Sequence, residues 1–292
     1  MKRFFNIALA AVIAVIFTFT GCSKKKNDGK FKITATFYPL YIMLLNITEN
    51  AENVSLQMLA PADTGCLHDY SITTKDMKLI SQSDVIVANG AGMEDFLDKA
   101  LELTKGSLII ASENYPLIDQ NAHIWVSPAG AAHEVKVIAE GLARADPKNG
   151  ELYKKNAAIY IEEINSLYGR MQDELKAYEN SAIITFHEAF PYFASDFKLN
   201  LTAVIEREPG TEPTQKEIYY LMKLIRSKKA ENEKIALFAE PQYSSSAARI
   251  IANETGLRVY QLDPCVTGAL NKDAYITAME KNLTVLKEAL KK

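Results

Sequence analysis

The chain has 292 residues, of which 48% are hydrophobic, 24% charged and 9% aromatic. That supplies one large or two medium cores and excludes a disordered, collagen-like or disulfide-dense chain. A formal net charge of −3 disfavours a general nucleic-acid binder, and the lack of apolar stretches beyond the N-terminus excludes a polytopic membrane protein.

The first segment reads as an address. Lys2 and Arg3 form a short basic region, residues 4–19 are almost entirely apolar, and Phe19, Thr20, Gly21 and Cys22 follow. This is the pattern of a bacterial lipoprotein signal, removed after residue 21. The Cys22 thiol would then carry a diacylglycerol and become the mature N-terminus. Phe19 departs from the usual leucine, and an uncleaved anchor is the competing reading. Residues 22–30 (CSKKKNDGK) form a polar tether. Acyl chains would hold the protein on the extracytoplasmic face of the cell membrane. Leader and tether carry mostly positive charge, so the remaining body is more acidic than the whole chain.

The body alternates between strand and helix patterns. Residues 31–37 read as a strand, 39–47 as a helix and 54–59 as a strand, followed by a loop over 60–72. A helix over 73–82 has Thr73 or Thr74 as its cap and Asp76 in its first turn. Residues 84–88 are a buried strand ending at Asn89-Gly90, 93–103 a helix and 107–111 a strand. Residues 128–145 are helical, and Asp146-Pro147 punctuates, with Pro147 opening the next helix. Leu152, Ala157, Ile161, Ile164, Leu167, Tyr168, Met171 and Leu175 recur at three- and four-residue steps. They predict one helix of about thirty residues over 147–179.

Alternation then resumes: strand 181–186, helix 188–197, strand 200–205, a polar loop over 206–213, helix 214–227 and strand 234–239. Helix 244–255, strand 257–262, a loop over 262–270 and a helix over 271–290 complete the chain. The expected fold is α/β: two wound lobes, 31–146 and 180–292, joined by one long rigid helix over 147–179.

His68, His123 and His187 all follow strand candidates, and so does Asp263. In open α/β sheets ligands bind beyond the carboxyl ends of strands. Two of these residues belong to each lobe, so facing lobes would gather them in the cleft between. Three neutral imidazoles and a carboxylate suit a first-row metal such as zinc. Taken singly, each histidine reads more readily as a packed or surface residue than as a ligand. His133 sits inside a helix and reads as a surface histidine. Asn89-Gly90-Ala91-Gly92 lacks the third glycine of a nucleotide fingerprint and reads as a turn. Trp125 is expected to pack beside the cleft. Arg207, Glu208 and Glu212 form a polar loop that is either plain surface or a partner contact.

Five segments in order, LHDYSITTKDMKLISQSDVIVANGAGMEDFLDK, HIWVSP, TFHEAFPYFA, FAEPQYSSSAARIIANETG and LDPCVTG, resemble the metal-binding lipoproteins of bacterial zinc/manganese ABC importers. The resemblance spans residues 31–290. It implies two α/β lobes on a rigid helix, with His68, His123, His187 and Asp263 as metal ligands. Histidine rather than glutamate at the third position implies Zn²⁺ rather than Mn²⁺ as the transported ion. The His-rich loop of many zinc members would fall at residues 113–122, which hold no histidine. Implied partners are an ABC permease and its ATPase, with the membrane reached through the lipid anchor, the protein a monomer and no nucleic acid involved.

Groups that fix the imidazoles are expected behind them. Glu240 is the first candidate, although an acid at a helix start is an equal reading; Glu188, Asp69 and Tyr70 follow. Cys66 and Cys265 each lie two residues from a proposed ligand, in opposite lobes. A disulfide between them, two free thiols and a thiolate ligand are all open readings, and an oxidising compartment favours the disulfide. The alternative function is a secreted zinc-dependent hydrolase. Against it, HExxH is absent after His187, and Asp263 would fill the water's position. Nothing in the sequence bears on an adhesin role. Since imidazole must be neutral to ligate, metal affinity should fall as pH drops through about 6.

Overall fold

The structure is a computed structural model and describes residues 29–67, 70–97, 100, 106–205, 214–230, 234–242 and 246–291. Strands β1 (Phe31–Ala35), β2 (Val54–Met58), β3 (Val85–Ala88) and β4 (Ser107–Ile110) form one parallel sheet in the order β2-β1-β3-β4. Strands β5 (Ala182–Thr185), β6 (Asn200–Val204), β7 (Ile235–Ala239) and β8 (Val259–Gln261) form a second, in the order β6-β5-β7-β8. The permutation is the same in both. VIVA of β3 and AIIT of β5 are buried throughout, as central parallel strands covered on both faces must be. Each sheet reverses its winding between its middle strands, β1/β3 and β5/β7. The crevice beyond that reversal is where residues leaving the strand ends converge.

The helices are α1 (Tyr38–Ile47), α2 (Thr74–Gln82), α3 (Pro128–Ala145), α4 (Gly150–Leu175), α5 (Pro191–Asp196), α6 (Gln215–Ala230), α7 (Ser246–Thr255) and α8 (Ala274–Leu290). Thr73 caps α2: its hydroxyl accepts from the Asp76 N–H, and the Asp76 carboxylate accepts from the Thr73 N–H. The long helix α4 starts later than the sequence suggests. Pro147 lies in the preceding turn, pinned because Asn149 Nδ2 and Tyr153 OH both donate to Asp146 Oδ2, at 2.7 and 2.8 Å. Beyond Leu175 a 3-10 turn, Lys176–Tyr178, continues the chain. Tyr153, Ala157, Tyr160, Ile164, Leu167, Met171 and Leu175 form the buried stripe of α4. One apolar cluster runs from Ile33 and Val85 of the first sheet, through that stripe, to Ile183 and Phe238 of the second and Met279 of α8. The two lobes therefore share a core layer. Among the described residues no helix is long and apolar enough to cross a membrane.

The helix expected over 93–103 is not regular. Asp95–Leu97 is a 3-10 turn, preceded by Gly90, Ala91 and Gly92 at φ of 80, 53 and 88°. The Glu94 carboxylate turns back to accept from Asn89 N–H (2.7 Å), Gly90 N–H (2.9 Å) and the Thr36 hydroxyl (2.7 Å). Those donors serve the protein's own carboxylate rather than a phosphate, so this segment is the turn expected from its incomplete fingerprint. At Gly90 a Cβ would stand 2.4 Å from Ile110 Cγ2, so both the backbone conformation and the space require glycine.

Candidate metal centre

His123 and His187 meet between the lobes. Their rings lie edge to face, 4.7 Å apart and at 88°, and both are essentially inaccessible to solvent. His123 follows the loop after β4 and opens a 3-10 turn, Ile124–Val126. Its backbone N–H donates to Asn121 Oδ1 at 2.9 Å, and ring Nδ1 stands 3.2 Å from the same oxygen. The Asn121 Nδ2 donates across to the Glu188 carbonyl at 2.8 Å, which fixes the amide's orientation. The oxygen can only accept, so Nδ1 carries the proton and Nε2 the lone pair.

His187 leaves the end of β5, and Glu240 leaves the end of the neighbouring strand β7. Glu240 Oε1 lies 2.6 Å from His187 Nδ1, with both side chains buried. The carboxylate holds the proton on Nδ1 and again leaves Nε2 as the donor nitrogen. The Thr185 hydroxyl donates to the His187 carbonyl at 2.9 Å and steadies the turn. Beside the pair, the fully buried Trp125 donates from Nε1 to the Pro264 carbonyl at 2.8 Å and packs edge-on to Phe37.

The third member of the cluster is Cys66. Its Sγ, a His123 nitrogen and a His187 nitrogen all lie within 4.8 Å of one another, and Sγ is 3.6 Å from His123 Nε2. The expected disulfide is not formed: Cys66 and Cys265 are two separate buried thiols. Cys66 faces His123, whereas Cys265 Sγ sits 3.8 Å from the Asp263 carbonyl, in a small pocket with Tyr38, Ile42, Met43 and Tyr275. Burial pushes both thiols well above their ordinary range, helped at Cys66 by Glu240 and Glu188 and at Cys265 by Asp263.

Asp263 is not among the three clustered side chains. Its Oδ1 accepts from Cys265 N–H at 2.8 Å and from Gln242 Nε2 at 3.2 Å, while Asn282 brackets its backbone. The second lobe thus holds this carboxylate firmly. His68 and Asp69 lie outside the described residues, as do Cys22, Arg207, Glu208 and Glu212. The Tyr70 hydroxyl is committed to Asp76 at 2.9 Å, and burial lifts it to about 12. Glu188 is half-buried and lines a cleft of about 660 Å³ together with Asp95, Asp119 and Asn121. His133 Nε2 donates to the Glu113 carbonyl at 2.8 Å and its ring stacks near Tyr115, a structural use. Asn121 carries no ligand-type signal in the sequence. Its signal is an Asx side chain two residues before the N–H it caps.

The model of the family described as zinc-uptake complex component A, periplasmic (ZnuA), matches residues 33–289. This chain belongs to that ZnuA family. The zinc-binding protein AdcA of Streptococcus pyogenes serotype M6 is 27% identical, with 96% of this chain and 60% of AdcA aligned. The chain thus spans about 60% of the length of those curated relatives. The high-affinity zinc uptake system protein ZnuA of Bacillus subtilis is 28% identical over 92% of this chain and 90% of its own. The solved Zn(II)-bound ZnuA-like domain of Streptococcus pneumoniae AdcA superimposes with a TM-score of 0.76 at 27% identity, covering 90% of this chain and all of that one.

In this ZnuA-family chain the donor set is chemically coherent. Two neutral imidazoles with fixed tautomers, each backed by an acceptor, present nitrogens to one point. Glu240 supplies buried negative charge one hydrogen bond behind the ring, which offsets part of a divalent ion's charge. Borderline-soft zinc accepts nitrogen, oxygen and sulfur ligands alike.

Proposed function

We propose that this chain captures a divalent transition metal, zinc in preference to manganese, outside the cytoplasm and hands it to the permease of an ABC importer powered by an ATPase. The observation that supports this reading is the buried pair His123 and His187, contributed by opposite lobes and each anchored at Nδ1. A carrier needs such preset donors, because reorganising the lobes around the ion would weaken capture. His68 and Asp263 are the further ligands in this proposal. Cys22 carries the lipid that keeps a monomeric carrier beside its permease.

Calorimetric titration of the leader-free protein with Zn²⁺ and Mn²⁺, alongside Asp263→Ala, tests the reading. One tight zinc equivalent is expected, much tighter than manganese and weakened in the variant. Preferential manganese binding would overturn the choice of metal, and failure to bind either ion would overturn capture itself. Zinc-dependent hydrolytic turnover would instead favour the hydrolase alternative.

A further inference from the structure

We infer that Cys66 is itself a ligand to the captured ion, so that this chain offers an N₂S donor set of His123 Nε2, His187 Nε2 and Cys66 Sγ. The inference rests on the zinc-capture reading and deepens it.

The Cys66–His123 separation fits before any ion is added. A zinc ion made five-coordinate by His68 and Asp263 that keeps a near-tetrahedral angle between sulfur at about 2.3 Å and nitrogen at about 2.0–2.1 Å holds the two roughly 3.5–3.6 Å apart. Cys66 Sγ stands 3.6 Å from His123 Nε2, and all three donor atoms lie within 4.8 Å of one another. Asn121 and Glu240 take the Nδ1 side of each imidazole. In His123 the other nitrogen, Nε2, is the one beside the sulfur, and His187 turns Nε2 away from Glu240. Cys66 is buried and its sulfur is not tied up in a disulfide, so it reaches the ion without first being reduced.

The step balances without a redox partner. As the ion enters, the S–H bond of Cys66 breaks heterolytically, sulfur keeps the electron pair and forms the S–metal bond, and the proton passes to buffer. Sulfur in the set tells against manganese, which prefers hard oxygen donors, and toward zinc and still softer ions. The cysteine thereby becomes a specificity-determining residue.

X-ray absorption at the zinc edge of the full chain loaded with one equivalent of zinc tests this directly. The expected spectrum contains one sulfur scatterer at about 2.3 Å beside nitrogen and oxygen at about 2.0–2.1 Å. Cys66→Ser should lose the sulfur shell, and its zinc-to-manganese affinity ratio should fall roughly tenfold or more. Cys265→Ser should keep both. A wild-type spectrum with only nitrogen and oxygen neighbours would overturn the assignment while leaving zinc capture intact, and Cys66 would then be only a hydrogen-bond partner of His123. If the wild-type chain retains no zinc, the assignment and the capture reading fall together. Because the decisive spectrum is that of the wild type, it does not depend on any variant folding.

Discussion

The two sheets share one strand order, yet they hold their imidazoles by different means. In the second lobe His187 and Glu240 sit at the ends of adjacent strands, and a buried carboxylate backs the ring. In the first lobe His123 sits far along a loop, and a neutral amide from that same loop backs it. A carboxylate brings buried charge to the site as well as fixing the ring, whereas an amide fixes the tautomer alone. The contrast teaches that a rigid strand pair can carry the charge while a loop carries the geometry.

Deleting each ring separates the two arrangements most sharply. His187→Ala strips Oε1 of Glu240 of its hydrogen-bond partner among the described residues, where Oε2 already has none. A buried carboxylate left unpaired costs about 3–5 kcal/mol. His123→Ala leaves Asn121 Oδ1 bonded to the backbone N–H of residue 123, so its hydrogen-bond cost is about 1 kcal/mol. Urea unfolding of both variants should show that gap, although both should lose tight zinc. Equal destabilisation would mean that Glu240 is not a committed partner of His187.

Replacing the backing groups instead of the rings gives the next effect. Glu240→Gln keeps the shape and removes the charge, and zinc affinity should fall about 10–100-fold, the usual cost of losing a partner behind a metal-bound histidine. Asn121→Ala removes orientation alone, and its loss should sit near tenfold, at the low end of that range. Competition with a chelating dye would rank them. A larger loss in Asn121→Ala would reverse the assignment of charge and geometry to the two lobes.

Much of this was legible in the sequence. Short β-branched runs separated by helical periods are local patterns, and they yield the wound α/β lobes and the helix between them. His187 follows a strand directly, so the strand-end rule finds it, and the sequence offers Glu240 only as a candidate to back an imidazole. His123 is harder, because its loop is shaped by the other lobe: Tyr192 OH accepts from the Ile118 N–H at 3.1 Å and donates to the Asn121 carbonyl at 2.7 Å. The direction of Cys66 depends on the same long-range packing. A cysteine near a ligand in each lobe therefore suggested a bridge where the fold built two separate thiols. Over 93–103, Glu94 looks like an ordinary helical acid until its three donors, from the turn and from Thr36 just beyond β1, are seen.

Buried carboxylates sharpen the comparison further. Glu94 and Glu240 organise what surrounds them, but neither oxygen of Glu134 on α3 has a hydrogen-bond partner among the described residues. Burial lifts Glu94 to about 6 and pushes Glu134 well above the carboxylate range, with the nearby Glu94 adding to it. The folded state then holds the Glu134 proton more tightly than the unfolded chain does. Stability from this group is fully present below the ordinary value of 4.5, and it is lost as pH rises from there through the raised folded value. Glu134→Met removes that loss and should stabilise the protein by about 1–3 kcal/mol at neutral pH. The advantage should narrow as pH falls toward 4.5. An advantage that is flat or widens on acidification would show that Glu134 carries a partner.

The smallest effect lies where the second lobe meets the connecting helix. Arg170 of α4 and Glu280 of α8 form an ion pair at 2.8 Å, with both side chains about half exposed. The same two helices also meet through buried Leu167, Met171, Met279 and Leu286. An exposed pair gains little in high dielectric and loses that to side-chain ordering and salt. Glu280→Gln should therefore change unfolding free energy by less than about 1 kcal/mol, and the difference should vanish in concentrated salt. A salt-insensitive loss larger than that would mean that charge, rather than the shared apolar layer, fixes the second lobe on the helix, and the lobes would then differ in how they are attached as well as in how they hold their histidines.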